Sequence, residues 1–433
     1  MAYMHKRFAA SLPLSRIVLA LICVLAARKC AADVAGQPGG IRQIESKHLT
    51  LFTDLPAGEE VDALPALFDR AFPQWCRYFG VDENQHAQWH VRGHLMKSRE
   101  RFEAAGLIPP GLHNFATGYA QGDRLWCYDQ TSEYYRRHLL LHEGTHAFMH
   151  TLVGGVGPAW YAEGMAELLA THRLEGGKLT LNYFPKSRDE VSKWGRIEIV
   201  EHDFAARRAK DLTKVFGYNP RTDAENEWYG WCWAVAAFLD GHPRYRTRFR
   251  QLPRIVKRPD FTTAVTQAFG ADWRRLQEDW RLYAANLDYG YDFARMEIET
   301  KAPEQLSADK AKVKVAADRG WQASGVRLEA GKKYRLRASG RYQVASKPRV
   351  WWCEPGGVTI RYYRGRPLGM LLAAVGADDA GETSPGSLVN PTAVGLETTL
   401  TPDRDGTLYL RINDSPGSLA DNAGSLSVEI VRQ

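Results

Sequence analysis

From His48 to Asp129 the chain switches repeatedly between two-residue and helical hydrophobic periods. Strand-like patterning over His48–Thr53, Gln88–Met96, Phe115–Ala120 and Arg124–Tyr128 brackets helical patterning over Glu59–Phe79 and Ser98–Ala105, which predicts an α/β sheet subdomain. The pattern then becomes mostly helical. Helices are predicted over Glu133–Thr151, Ala159–His172, Pro243–Arg250, Thr262–Phe269 and Asp272–Ala285, and the Gly154-Gly155-Val156-Gly157-Pro158 run lets the chain reverse between the first two. Trp228–Leu239 is almost wholly apolar and too short to cross a bilayer, so it reads as a buried helix. Beyond about Pro303, short alternating runs of Val, Tyr, Leu and Arg, punctuated by Gly and Pro-Gly pairs, predict a separate β-sandwich.

The expected organisation is therefore multidomain. Residues 1–32 carry Lys6, Arg7 and Arg16 ahead of a short apolar run (Ile17 to Ala27), with small residues before Asp33, the pattern of a signal peptide. Residues 33–130 form the sheet subdomain and 131–302 the helical part of one α+β catalytic unit, and 303–433 form the all-β sandwich. Removing residues 1–32 takes away five basic residues and no acidic one, so the formal charge falls from +7 to +2. That balance gives no basis for nucleic-acid binding. The expected location is secreted or periplasmic, without a membrane span after cleavage. An oxidising exterior permits disulfides among Cys76, Cys127, Cys232 and Cys353; Cys76 with Cys127 is the expected pair, and buried thiols are the alternative.

Candidate chemistry centres on His142-Glu143-Gly144-Thr145-His146. On a helix, residues four apart stand one turn above each other, so both imidazoles reach one metal ion while Glu143 touches a water on it. Glu163, on the next helix, supplies a third ligand. His142, His146 and Glu163 leave the fourth position open, the pattern of a catalytic rather than a structural zinc site. Zinc lowers the pKa of its water towards ~7, and Glu143 takes the proton as the water attacks a peptide carbonyl. His150 lies two turns from His142, too far to share the ion, and the spacing of the three-histidine class is absent.

On this motif and on Trp160-Tyr161-Ala162-Glu163-Gly164-Met165-Ala166-Glu167, the chain resembles the gluzincin superfamily of metallopeptidases, with a zincin-like catalytic domain. The resemblance implies Glu163 as third ligand and Glu167 as the carboxylate orienting a ligand imidazole. It also suggests Tyr229, in Glu227-Trp228-Tyr229-Gly230-Trp231, as the phenol that hydrogen-bonds the oxyanion; packing in a core helix is the competing role. The G-x-M-E-N segment by which aminopeptidases of this superfamily hold the substrate amine is absent, since Phe115 to Asp123 reads FATGYAQGD.

The run from Leu410 to Ser425 clusters oxygen ligands between two strand-like segments and resembles the final loop of the bacterial galactophilic calcium lectins, a β-sandwich family with a galactose-binding-like fold. That resemblance implies Ca2+ held by Asp414, Ser418, Asp421 and Asn422, and glycan as a second partner beside a peptide or protein substrate. The sequence thus predicts a secreted zinc metallopeptidase with an accessory lectin-like domain. The rival is a secreted carbohydrate- and calcium-binding protein whose zincin portion is a non-catalytic scaffold.

Overall fold

A computed structural model describes residues 40–223, 226–302, 304, 309–377 and 388–433. The expected signal segment, 1–32, lies outside the described residues. Five strands form the first sheet: β1 (Arg42–Glu45), β2 (Leu49–Thr53), β3 (Val91–Met96), β4 (Gly118–Gln121) and β5 (Arg124–Tyr128), in the order β1-β2-β3-β5-β4. Strands β2, β3 and β5 run parallel, whereas β4 pairs antiparallel with β5 and forms an edge.

The helical pattern expected over Glu59–Phe79 is interrupted at Ala63, giving a four-residue turn, Glu59–Asp62, and helix α1 (Leu64–Phe79). Pro65 causes the break, because it has no N–H to donate and its ring collides with the carbonyl one turn back, so it is accommodated in a helix's first turn. The buried stripe of α1, including Phe68, Phe72 and Trp75, packs under helix α2 (Glu133–Phe148). The Ser132 side chain caps α2 by accepting from the Tyr135 N–H at 3.3 Å. Gly144 lets α1 side chains press against α2, since a Cβ there would stand 2.5 Å from Phe68 Cε2 and 2.9 Å from Trp75 Cη2.

The helix expected to reach Thr151 loses its α register after Phe148 and widens into a π turn over Met149–Val153. Gly154, with φ +85°, closes that turn by donating to the Met149 carbonyl. Helix α3 (Ala159–Ala170) then returns antiparallel, and a hairpin the sequence patterning did not predict follows, β6 (His172–Glu175) with β7 (Lys178–Leu181). Helices α4 (Arg196–Ala205), α5 (Glu227–Gly241) and α6 (Trp273–Asn286) complete the larger elements of this part, and their apolar residues join the same buried cluster as α1 to α3. No described helix is long and apolar enough to cross a membrane.

The C-terminal part is β-rich. Strands β8 (Lys310–Ala316), β9 (Gln322–Leu328), β10 (Tyr334–Ser339), β11 (Tyr342–Ala345), β12 (Trp351–Cys353), β13 (Val358–Tyr363), β14 (Arg366–Leu368), β15 (Leu371–Ala377), β16 (Thr392–Ala393), β17 (Glu397–Leu400), β18 (Gly406–Ile412) and β19 (Ser425–Arg432) build several sheets. Two are four-stranded, β17-β10-β19-β8 and β16-β15-β18-β9, and both feed side chains into one buried cluster that includes Leu336, Leu408, Leu410, Val428 and Ile430. A smaller cluster joins the two parts: Leu282 of α6 and Ile298 pack with Trp321, Leu372 and Ala374.

One sequence expectation fails here. Cys76, Cys127, Cys232 and Cys353 are all free and buried, so Cys76 and Cys127 are not bridged. Their surroundings differ: the Cys76 thiol feels Asp82 and Glu83 beyond the end of α1, whereas the Cys127 thiol, on β5, feels Glu143.

Candidate metal centre

Helix α2 brings His142, Glu143 and His146 to one side of the cleft, and α3 brings Glu163 and Glu167 opposite them. Helix α3 is itself seated tightly on α5: a Cβ on Gly164 would meet the Cys232 carbonyl at 2.8 Å. Glu163 Oε2 lies 3.3 Å from His142 Nε2 and 3.6 Å from His146 Nε2. The other nitrogen of His142, Nδ1, stands 3.4 Å from Glu167 Oε1.

Two triplets have ligand atoms within 4.8 Å of one another and can hold a metal ion: His138, His142 and Glu167, and His142, His146 and Glu163. Their donors differ. Both oxygens of Glu167 already accept from Arg196, Oε2 from Nε at 3.0 Å and Oε1 from Nη2 at 2.8 Å. Oε2 of Glu163, by contrast, is buried and satisfied by no hydrogen bond. Bonds of about 2.0–2.2 Å, as nitrogen and carboxylate ligands make to zinc, set tetrahedral ligand atoms about 3.3–3.6 Å apart. The spacing around Glu163 Oε2 fits that requirement.

Burial would raise the Glu163 carboxyl, but the adjoining His146 and His142 rings hold it at about 2. Burial likewise pushes Glu143 above the ordinary carboxylate range, with the two histidines pulling the other way. Glu143 is 5% exposed and backs onto the edge strand, where Gly118 leaves room for its carboxylate. Tyr229, on α5, places its ring 6.2 Å from that of His142, and the charge of Glu163, followed by burial, lifts its phenol well above the ordinary value. It is therefore a neutral donor at ordinary pH. His150 is exposed on the π turn and belongs to neither triplet.

Sequence reasoning missed three residues of this cluster. His138 precedes His142 by one turn and is 1% exposed; its position on the same helical stripe was a usable signal. Arg196 comes from an irregular stretch of sequence and gave none. Gly118 gave none either, because its importance lies in the side chain it lacks.

Of the four predicted calcium ligands in the C-terminal loop, a hydrogen bond joins Asp414 and Asn422. Asn422 Nδ2 donates to Asp414 Oδ2 at 2.9 Å, the Ser346 N–H donates to Asp421 Oδ2 at 3.0 Å, and Ser418 begins the short helical turn Leu419–Asp421. Oδ1 of Asp421 and Oδ1 of Asn422 are buried without a partner, and burial raises the Asp414 carboxyl to about 6. The loop also leans on the helical part: Ser415 Oγ donates to Asp288 Oδ2 at 2.9 Å, and Gly417 sits directly on the Tyr289 carbonyl and Gly290.

No family model matches the chain, and no curated protein matches it. Among solved structures, the chain is similar to the N-terminal domain of EclA, described as a PllA-like lectin, at 26% identity over 29% of this chain and 100% of that one, with a TM-score of 0.23. It is also similar to IMPa from Pseudomonas aeruginosa, solved in complex with an O-glycopeptide, at 13% identity over 58% of this chain and 25% of that one, with a TM-score of 0.18. The chain thus spans about a quarter of the length of IMPa.

Proposed function

We propose that the protein is a secreted, zinc-dependent metallopeptidase of the gluzincin type, with an accessory lectin-like β-sandwich. The observation that carries this reading is the convergence of His142 Nε2 and His146 Nε2 on the unsatisfied Oε2 of Glu163, beside the buried carboxylate of Glu143. His142, His146 and Glu163 would hold the zinc, whose Lewis acidity, when it is bound, acidifies water and polarises a carbonyl. Glu143 takes the proton of the attacking water and passes it to the leaving amine. Tyr229 donates its hydroxyl hydrogen to the oxygen on which negative charge develops. Edge strand β4 offers backbone groups along which an extended peptide can align.

Calcium as a second ion is supported by the two orphaned buried oxygens, Asp421 Oδ1 and Asn422 Oδ1, which lie in the same loop as Asp414 and Ser418. Glycan is the partner such a site would take.

The test is metal analysis and hydrolysis of a peptide library by wild type, His146→Ala and Glu143→Gln. One zinc per chain and cleavage in wild type, both lost in His146→Ala, support the peptidase. Glu143→Gln should keep the zinc and lose about 10²–10⁴-fold in kcat. Cleavage indifferent to Glu143→Gln, or a chain that takes no zinc, would instead favour a glycan-binding protein on a non-catalytic scaffold.

A further inference from the structure

We infer that Arg196 is a positioning residue for the metal site, acting through Glu167 on His142 and bracing the ring of Tyr229. This rests on the reading that His142 is a metal ligand. Glu167 is 1% exposed, and a carboxylate that deep must be compensated by charge and hydrogen bonds. Arg196 provides both, in a two-pronged contact of 3.0 and 2.8 Å. Oε1 is therefore shared between Arg196 Nη2 and His142 Nδ1, and Oε2 between Arg196 Nε and His138 Nε2 at 3.2 Å. A carboxylate fixed on Nδ1 sets the tautomer of His142 and turns Nε2 towards Glu163 and the cleft.

The guanidinium is itself immobilised. Nη1 donates to the Trp194 carbonyl at 3.0 Å, and Trp194 is wedged edge-on against Trp233 of α5 with ring centroids 4.6 Å apart. Gly195, with φ +64°, turns the chain so that Arg196 opens α4 facing the cleft. The Arg196 carbon Cζ lies 5.8 Å from the ring of Tyr229 and 6.0 Å from that of Tyr135, whose hydroxyl accepts from Nη2 at 3.4 Å. One side chain thus touches both the group that aims a metal ligand and the ring that carries the proposed oxyanion donor. Lysine can replace the charge but not the fork.

The experiment measures zinc affinity of the full chain by chelator competition, with thermal unfolding of the metal-free protein alongside. The variants are Arg196→Lys, Arg196→Gln, Glu167→Gln and the double variant Arg196→Gln/Glu167→Gln, which removes both charges and so avoids stranding one in the core. Each single variant should lose about 10–100-fold in zinc affinity. The double variant should lose no more than the worse single one, because the two residues act in series. Arg196→Lys should also lower kcat with little change in KM. Folded variants that bind zinc as tightly as wild type, or losses that add in the double variant, overturn the inference. A wild type whose zinc binding is unaffected by His146→Ala, or that takes none, overturns the metal reading itself and this inference with it.

Discussion

Gly118 on the edge strand faces Glu143 so closely that a methyl group built on it would overlap Oε1 and stand 3.0 Å from Cδ. The strand can therefore carry no side chain at this point without displacing the proposed base. Gly118→Ala should lower kcat roughly 100-fold, the cost of moving a catalytic group by about an ångström. Zinc content should be unchanged, since Glu143 is not a proposed ligand, and thermal stability should move little because only the end of a side chain must shift. Steady-state kinetics and metal analysis on the same preparation check this; an unchanged kcat would remove Glu143 from the mechanism.

Tyr229→Phe keeps the ring beside His142 and Arg196 and removes only the hydroxyl. The expected outcome is a fall in kcat of about 10²–10³-fold with KM and zinc affinity unaltered. If Tyr229 were only a packing residue, kcat would stay within a few-fold of wild type.

At Gly164 two effects compete. Alanine is better than glycine in a helix by about 1 kcal/mol. Its methyl group would press on the Cys232 carbonyl at 2.8 Å and on Ala236 Cβ at 3.3 Å. Backbone on a packed helix cannot yield as a side chain can, and such overpacking costs about 1–3 kcal/mol. Gly164→Ala should therefore be destabilising on balance, with a lower Tm and a shifted α3 that moves Glu163 off its position and weakens zinc binding. A raised Tm would contradict this.

His94 gives a pH dependence separate from the metal site. It is 3% exposed, stacked between Phe52 and Trp126, and burial depresses its pKa to about 4. The unfolded chain takes up a proton near pH 6.5 and the folded one does not until about 4, so stability is full above 6.5 and declines as pH falls through that window. The loss attributable to this ring is about 3 kcal/mol. His94→Asn, which retains a donor near the Leu125 carbonyl, should show a flatter decline between pH 6.5 and 4 in denaturant titrations. Parallel curves for the two proteins would refute the assignment.

The strongest sequence signals were local. The His142–His146 spacing, Glu163 and the glycine-rich reversal placed both helices of the site, because a helix's period and its stops are written within a dozen residues. Ends were less legible: Pro65 splits the first predicted helix, and the π turn after Phe148 depends on a wide hydrogen bond to Gly154 that no hydrophobic period reports. Strand β1 is too short and too evenly half-buried to show a period, whereas the β6–β7 hairpin carried a usable signal that was overlooked, the Gly176-Gly177 pair followed by alternation over Lys178–Leu181. Arg196 stayed invisible because its role exists only once α4 docks beside α3, twenty-nine residues from Glu167 in the chain. The Cys76–Cys127 pairing failed for the same reason, since closeness in sequence order to the motif says nothing of which thiols meet in space.

The seat of Gly417 on Tyr289 and Gly290, together with the Ser415–Asp288 hydrogen bond and the bond from Arg364 to the Ala285 carbonyl, fixes the C-terminal loop against the helical part. Separation and angle between the cleft and that loop are thus properties of the fold and not of a linker's entropy. A polymer gripped at the loop would reach the cleft only at one span of its own length. Severing the chain near residue 305 would not yield two independent pieces, since Leu282 and Ile298 would lose Trp321 and Leu372 and open an oily face to water.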